Sequence, residues 1–307
     1  MKHTIRIGTR ESQLAVWQAK AVQQLLAAHN HHSELVFIKS EGDIDLQTPL
    51  YAIGVQGIFT RSLDIALLQN KIDIAVHSMK DVPVQLPAGI VQAAVLERAS
   101  YKDLLVYKGD PGFLDNVKGE AVIATSSIRR QAQWLHRYPQ HRIENLRGNV
   151  NTRLQKLQDH PWNGAIFAAA GLERINLRPA NAVELDWMLP APAQGAIMVV
   201  CREADTTCLN ACQPFNHAAT ALCVKVEREF LQTLMGGCST PISALATIAH
   251  DQLHFQGNIV LPDGTEIIDT AHSVALADAA TTGVTAAKAI LEKGGRQLTA
   301  RVQHVTK

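Results

Sequence analysis

At 307 residues, with 47% hydrophobic and 19% charged side chains and a formal net charge of +1, the chain is too long for one comfortable core, so two or three domains are expected, and it has no global charge to draw it to nucleic acid or a membrane surface. The amino terminus enters a strand-like pattern at once, without an apolar run of signal-peptide length, and no run elsewhere approaches a membrane span. The five cysteines are odd in number and form no Cys-x-x-Cys pair, which reads as free thiols of a reducing cytoplasm.

Taken in chain order, residues 5–8 read as a strand. Ser12 caps a helix running to about residue 28, with Leu14, Trp17, Val22, Leu25 and Leu26 as its apolar stripe. Residues 35–38 form a second strand; Phe59, Leu63, Ala66 and Leu67 mark a second helix, and 72–76 a third strand. Strands alternating with helices argue for a parallel sheet with helical crossovers. The pattern restarts after Tyr101: strand 121–124, helix 127–138, strand 143–146, helix 149–158, strand 165–169. Pro190, Pro192 and Gly195 mark a crossing point before a buried-type strand over 197–201. The tail is different. Leu222, Val226, Phe230 and Leu234 stripe a helix, and Leu253, Phe255 and Ile259 alternate as a strand. Pro262-Asp263-Gly264 is a turn signal, and 265–274 returns as the partner strand. A last helix covers about 279–293, with Gly294-Gly295 as its stop.

The window 125–153 holds six arginines, no lysine and the single acid Glu144. Its net charge is +5, against +1 for the whole chain. Arginine grips carboxylate or phosphate through a planar fork of donors. The window contains two motifs, Thr125-Ser126-Ser127-Ile128-Arg129-Arg130 and Leu146-Arg147-Gly148-Asn149-Val150-Asn151-Thr152-Arg153. Each sits where a strand hands over to a helix. In open parallel sheets, ligands bind at the carboxyl ends of strands, and the free N–H groups of the next helix favour anions. The two motifs are therefore expected to form one concave site for a multiply anionic ligand.

A second cluster, Ala75-Val76-His77-Ser78-Met79-Lys80-Asp81-Val82-Pro83, follows another strand. A lysine beside an aspartate can keep a carboxylate ionised in a cleft, as acid/base or as counter-ion to a developing cation. A solvated ion pair in a turn before Pro83 is the competing reading, and spacing alone does not separate the two. Arg10 in Gly8-Thr9-Arg10-Glu11-Ser12 occupies the matching place after the first strand, and Gly42-Asp43 the place after the second. Gly236-Gly237-Cys238-Ser239-Thr240-Pro241 puts a thiol on a loop, whereas a typical free cysteine is buried and inert. Cys201 and Cys223 fit that inert pattern. Cys208 and Cys212 sit four apart on a helix and lack zinc-type partners. His29, His31 and His32 read as solvent-exposed, Asp43-Ile44-Asp45 lacks the rest of a calcium loop, and no metal site is expected. The glycine-bearing stretch 54–57 reads as a lid, and Trp134, Trp162 and Trp187 as packing residues.

The segments GTRESQLA, KSEGD, AVHSMKDVP, ATSSIRRQAQ, LRGNVNTRL, AAAGLERI, PAPAQGAI and GGCSTPI occur in the order seen in the porphobilinogen deaminase (hydroxymethylbilane synthase) family, and the chain resembles that family over nearly its whole length. The resemblance implies two periplasmic-binding-protein-like (type II) α/β domains with a mixed sheet each, plus a small α+β carboxyl-terminal domain. Domain 1 would comprise 1–97 with 196–214, domain 2 residues 102–190 and domain 3 residues 217–307. It implies a cytoplasmic, monomeric transferase of haem biosynthesis. Four porphobilinogens are added head to tail, each losing ammonia, onto a dipyrromethane cofactor joined through a thioether to Cys238; hydrolysis then frees hydroxymethylbilane. By the same resemblance Asp81 is the catalytic carboxylate. Lys80, Ser127, Arg129, Arg130 and Arg153 hold the cofactor, with Asp43, Thr125, Ser126 and Gly148 at further cofactor positions. Arg10, Ser12, Arg147, Arg174 and Gln194 match substrate positions. The chain departs from the family in the loop after Thr48-Pro49-Leu50, where Ala52 and Gln56 replace two lysines. Two other functions compete: a polycarboxylate-binding protein without catalysis, and a nucleic-acid binder using the arginine window.

Overall fold

The computed structural model describes residues 4–39, 59–234 and 240–305. The loop with Asp43, Ala52, Gly54 and Gln56, and the loop with Cys238, lie outside the described residues.

The first unit runs β1 (Ile5–Thr9), α1 (Gln13–Ala28), β2 (Ser33–Phe37), α2 (Arg61–Leu68), β3 (Ile74–Ser78) and β4 (Ile90–Val95). The second runs β5 (Asp103–Tyr107), β6 (Val122–Ala124), α3 (Ile128–Arg137), β7 (Arg142–Glu144), α4 (Val150–Asp159), β8 (Gly164–Ala168), α5 (Ala169–Glu173) and β9 (Ala182–Glu184). The chain then returns to the first unit as β10 (Ile197–Arg202) and α6 (Thr206–Cys212).

The two sheets share one plan, with strand orders β2-β1-β3-β10-β4 and β7-β6-β8-β5-β9. In each, four strands run in one direction and one antiparallel strand, β10 or β5, is inserted next to the last position. The sheets are mixed, as the family resemblance led one to expect, and not purely parallel as strand–helix alternation alone suggested. The physical reason is direction of entry. The parallel strands end at the boundary between the units, where Arg10, Lys80 and Ser126 follow them. β5 and β10 start at that boundary, directly after the chain crosses, and so run away from it.

Both faces of the first sheet are covered, which explains the unbroken apolar run Ile74-Ala75-Val76. Ile5, Ile7, Ile74 and Val76 pack against Ala19, Val22 and Leu26 of α1 and Cys208 of α6, while Ala75 and Met198 face Leu63 and Leu67 of α2. The buried face of α1 is Ala15, Gln18, Ala19, Val22 and Leu26. Leu14 and Trp17, assigned to the core from spacing, instead face the second unit: Leu14 lines the cleft, and Trp17 is 40% exposed with the Arg174 guanidinium 5.6 Å from its ring centre. Trp134 and Trp162 are buried packing residues, as expected.

The third unit comprises α7 (Ala218–Thr233), an antiparallel sheet of β11 (Ile242–Ala249), β12 (Gln252–Val260) and β13 (Ile267–Ala275), then α8 (Thr282–Ile290) and α9 (Arg296–Val305). Its core joins Phe230, Phe255, Ile259, Ala286 and Ile290. Gly294-Gly295 is a kink and not a stop. Gly294 takes a left-handed φ of 103°, and the chain resumes as α9 because Leu298 and Val302 still have an apolar face to bury.

Two connectors, residues 96–102 and 185–196, link the α/β units. Gly195 lies where they pass: a Cβ there would stand 2.7 Å from the Ala99 carbonyl oxygen, and its φ is 87°. The fully buried Glu227 of α7 ties this crossing to the third unit. It accepts from Arg98 Nη1 at 2.6 Å, the Ala193 N–H at 2.6 Å and the Ala246 N–H at 2.7 Å. The third unit also docks on α3. Gln133 donates to Ser243 Oγ at 2.9 Å, and the His136 Nδ1 lies 2.8 Å from the Gly264 carbonyl oxygen.

Candidate functional site: a cationic cleft between the two α/β units

A cavity of about 490 Å³ opens between the two units. From the first unit it is lined by Arg10, Ser12, Lys80 and Asp81, and from the second by Ser126, Ser127, Arg129, Arg130, Arg147, Gly148, Arg153 and Arg174; the connector adds Gln194. The structure thus brings together the first and second motif clusters at the carboxyl ends of β1, β3 and β6. Thr125 is buried beneath the wall and does not line the cavity.

Local chemistry explains each placement. Ser12 Oγ accepts from the Ala15 N–H at 3.4 Å, and Ser127 Oγ accepts from the Arg130 N–H at 3.4 Å, so both cap helices that point into the cavity. Thr125 Oγ1 accepts from the Ser127 N–H at 3.2 Å. Ser126 Oγ donates to the Leu146 carbonyl and accepts from its N–H, which binds the two arginine motifs side by side. Asn149 caps α4 through the Thr152 N–H at 3.0 Å. Gly148 before it has φ 114°, and a Cβ there would meet Thr152 at 2.8 Å.

Arg129 and Arg130 occupy the first turn of α3, which contains no acid. Cations at the positive end of a helix dipole are electrostatically misplaced. Asp103, at the start of β5 and fully buried, resolves this. Its Oδ2 accepts from Arg129 Nη2 at 2.7 Å, and its Oδ1 from Arg130 Nη2 at 2.7 Å and Nε at 3.1 Å. Arg129 and Arg130 also donate to the carbonyls of Leu189 at 2.5 Å and Ile166 at 2.8 Å. Burial pushes the Asp103 carboxyl up, but Arg129, Arg130 and Lys80 outweigh it and hold the group well below the usual carboxylate range. Two guanidinium groups are therefore fixed by one carboxylate. Sequence reasoning expected open forks here and missed Asp103. The only signal was an acid opening the apolar run Leu104-Leu105-Val106.

Gln194 is fully buried. It donates to Asp103 Oδ1 at 2.9 Å and to the Tyr101 carbonyl at 2.8 Å, and accepts from Lys80 Nζ at 3.3 Å. It joins the two walls instead of facing solvent. Burial and the nearby charge of Arg130 push Lys80 down to about 8, against the opposing pull of Asp81 and Asp103. Arg153 donates to the Gly148 carbonyl from Nε at 2.8 Å; its terminal nitrogens have no partner among the described residues. Burial, with Arg130 and Arg147, pushes it down to about 10. Arg174 donates to the Gly195 carbonyl at 2.7 Å, and burial lowers it to about 10. Arg10 stacks 4.8 Å from the Phe59 ring centre. His77, behind Arg10, is kept neutral: burial and the Arg10 charge push it down to about 3.

Cys201, Cys208, Cys212 and Cys223 are free and buried. Burial pushes Cys201 and Cys223 up to about 11 and Cys212 to about 12, and Cys208 is raised further, so none of these four is a ready nucleophile. Among the described residues no group of three or more His, Cys, Asp or Glu side chains could hold a metal ion, and no helix is long and apolar enough to cross a membrane.

Residues 5–210 match the family model described as "Porphobilinogen deaminase, dipyromethane cofactor binding domain", and residues 221–292 match "Porphobilinogen deaminase, C-terminal domain". The chain belongs to the porphobilinogen deaminase family. It is 41% identical over 300 residues to the porphobilinogen deaminase of Syntrophotalea carbinolica, spanning 96% of this chain and 95% of that one. It is 42% identical over 278 residues to the chloroplastic porphobilinogen deaminase of Oryza sativa subsp. japonica, spanning 88% of this chain and 77% of that one. Among solved structures, the methionine binding protein MetQ aligns with a TM-score of 0.43 at 16% identity, over 68% of this chain and 90% of that one. A porphobilinogen deaminase is a transferase of tetrapyrrole biosynthesis that works on a dipyrromethane cofactor, and the cationic cleft lies within the residues matched to the cofactor-binding domain.

Proposed function

We propose that the cleft is where this porphobilinogen deaminase joins four porphobilinogens head to tail, with Asp81 as the catalytic carboxylate and Cys238 as the point of attachment of the dipyrromethane primer. The observation that carries this reading is the wall itself. Among the described residues seven cations line the cavity, Arg10, Lys80, Arg129, Arg130, Arg147, Arg153 and Arg174, against two acids, the exposed Glu11 and the half-buried Asp81.

The residues present fit the cofactor. Each porphobilinogen unit carries an acetate and a propionate, so a primer and its growing chain are a polycarboxylate. The first turns of α3 and α4 hold no acid, and the desolvated Arg153 keeps its terminal donors available. Arg153, Lys80 and Ser127 would hold carboxylates directly, Arg129 and Arg130 present the edges left over from Asp103, and Arg147 would line the position of the entering substrate. Arg10 and Arg174, toward the α1 side of the cavity, suit the entering ring. Asp43 and Cys238 enter this assignment from the family motif alone.

Bound in the cleft, the primer supplies a nucleophilic pyrrole carbon. This chain's residues supply the rest. The amino nitrogen of porphobilinogen departs as ammonia once protonated, the methylene carbon stays on the ring, and the pyrrole takes up the positive charge that remains. Asp81, half-buried in the cavity wall, faces that charge as a carboxylate. Such preorganised stabilisation is typically the largest catalytic contribution. The same carboxylate can accept the proton that leaves when the ring regains aromaticity. We take the enzyme to act as a monomer without nucleic-acid affinity, since both walls come from one chain and the arginines line a cavity instead of an extended track. The buried free thiols suit a reducing cytoplasm.

The intact mass of purified protein tests this reading. An excess equal to two deaminated porphobilinogen units, absent in Cys238→Ala, is expected. A folded, active preparation with the bare polypeptide mass would overturn it.

A further inference from the structure

We propose that Arg228 of α7 is the positioning residue for Asp81, an inference that rests on the catalytic role assigned to Asp81 above. Asp81 is carried by a single 3₁₀ turn, Met79–Asp81, after β3. Short turns of this kind have poor internal hydrogen bonding. This one has the Val82 N–H to the Met79 carbonyl at 3.1 Å, and the Met79 N–H to the Ala196 carbonyl at 3.0 Å. The carbonyls of Met79 and of the two residues that follow the turn converge on one guanidinium. Arg228 Nη1 donates to the Val82 carbonyl at 2.9 Å and lies 3.4 Å from that of Met79, while Nη2 donates to the Pro83 carbonyl at 2.5 Å. A rigid fork with five donors can satisfy three carbonyls at fixed angles, and the point charge of a lysine cannot.

The other end of this clamp is firm. The adjacent residue, Glu227, is fully buried at the crossing of the two connectors. A helix anchored there through one residue therefore holds the turn of Asp81 through the next. α7 ends at Thr233, five positions before Cys238 in the sequence. One helix thus sets the place of the carboxylate and leads into the segment that would carry the primer. Arg228 touches backbone and not the reacting atoms, so its effect passes through Asp81.

The test uses loaded holoenzyme of wild type, Arg228→Gln, Arg228→Lys, Asp81→Asn and Arg228→Gln/Asp81→Asn. Displacing a catalytic group by about 1 Å costs on the order of 10²-fold in rate. Arg228→Gln should lose about that factor in kcat, with KM within about twofold and primer mass retained. Arg228→Lys should recover little of it. Hydrogen exchange at the Met79 and Val82 amides should accelerate in both. In the Asp81→Asn background Arg228→Gln should cost almost nothing further, the non-additivity expected of residues acting as one unit. If Arg228→Gln does not fold, Arg228→Lys carries the same comparison. Wild-type kcat in a loaded Arg228 variant, or an equal loss with and without Asp81, would overturn the inference. Normal activity in Asp81→Asn would instead defeat the underlying assignment.

Discussion

The two walls of the cleft are built in opposite ways. On the second unit, Arg129 and Arg130 are seated in the protein interior and locked to Asp103, on a helix capped by Ser127. On the first, Lys80 and Asp81 project from a three-residue turn that depends on a side chain from the third unit. One wall is a fixed field of positive charge, and the other is a small clamped mount for a single acid. The contrast separates holding from chemistry. A polyanion that lengthens by one ring at a time needs a constant electrostatic seat. In the proposed reaction the carboxylate meets each new ring in turn, and a short mount clamped from elsewhere places it without rebuilding the seat.

The contrast can be broken most sharply at the acid. Asp81→Asn should cost at least about 10²–10⁴ in kcat while the melting temperature stays near wild type. A stopped assay for tetrapyrrole product with a thermal scan of the same sample checks both. The opposite behaviour is expected of the other wall. Asp103→Asn leaves two interior guanidinium groups without their carboxylate and should destabilise the protein by about 3–5 kcal/mol, with primer loading lost as well, measurable by denaturant melts and intact mass. The folded Asp103 carboxyl lies far below its unfolded value, so its contribution is fully present above the unfolded pKa of about 4 and is lost only as pH falls toward the folded one. Wild-type stability should therefore be insensitive to this group from pH 5 upward, by about the same reckoning.

Smaller effects sharpen the comparison. Arg130→Lys keeps the charge but loses the two-point grip on Asp103 and the bond to Ile166. It should retain most of the fold and lose about tenfold or more in kcat/KM, since bidentate geometry is not replaced by an ammonium. Kinetics beside a melt would separate the two. The smallest expected effect concerns Lys80, whose folded pKa of about 8 lies below its ordinary value. In primer-free protein the unfolded chain binds the extra proton between about pH 8 and 10.5, so stability should rise with pH across that window. The gap between Lys80→Gln and wild type should shrink over the same range in parallel melts.

The sequence carried the position of this site well and its internal wiring poorly. The arginine window, the strand-to-helix placement of both motifs, and Lys80-Asp81 after β3 were all legible because they are local. Pairing of Arg129 and Arg130 with Asp103 was not, because it joins residues 26 and 27 apart through an antiparallel insertion that periodicity cannot see. Trp17 was misplaced for a related reason: the amino-terminal half of α1 meets a second unit, which a single-helix stripe does not encode. Arg228 was invisible, since a cation on an amphipathic helix ordinarily reads as a solvated face. Gly294 looked like an end because nothing local shows that Leu298 and Val302 beyond it have a core to join.

The strand order of the first sheet also dictates a sequence of events at the ribosome. β4 pairs only with β10, which is not made until Arg202. The nascent chain therefore completes its second lobe, through Glu184, while the first still has a gap between β3 and β4. A polypeptide ending at residue 190 should show a protease-resistant fragment from the later-encoded lobe and rapid digestion of the earlier one, measured by limited proteolysis and mass mapping. Of the two α/β lobes, the one translated first is the one that closes last.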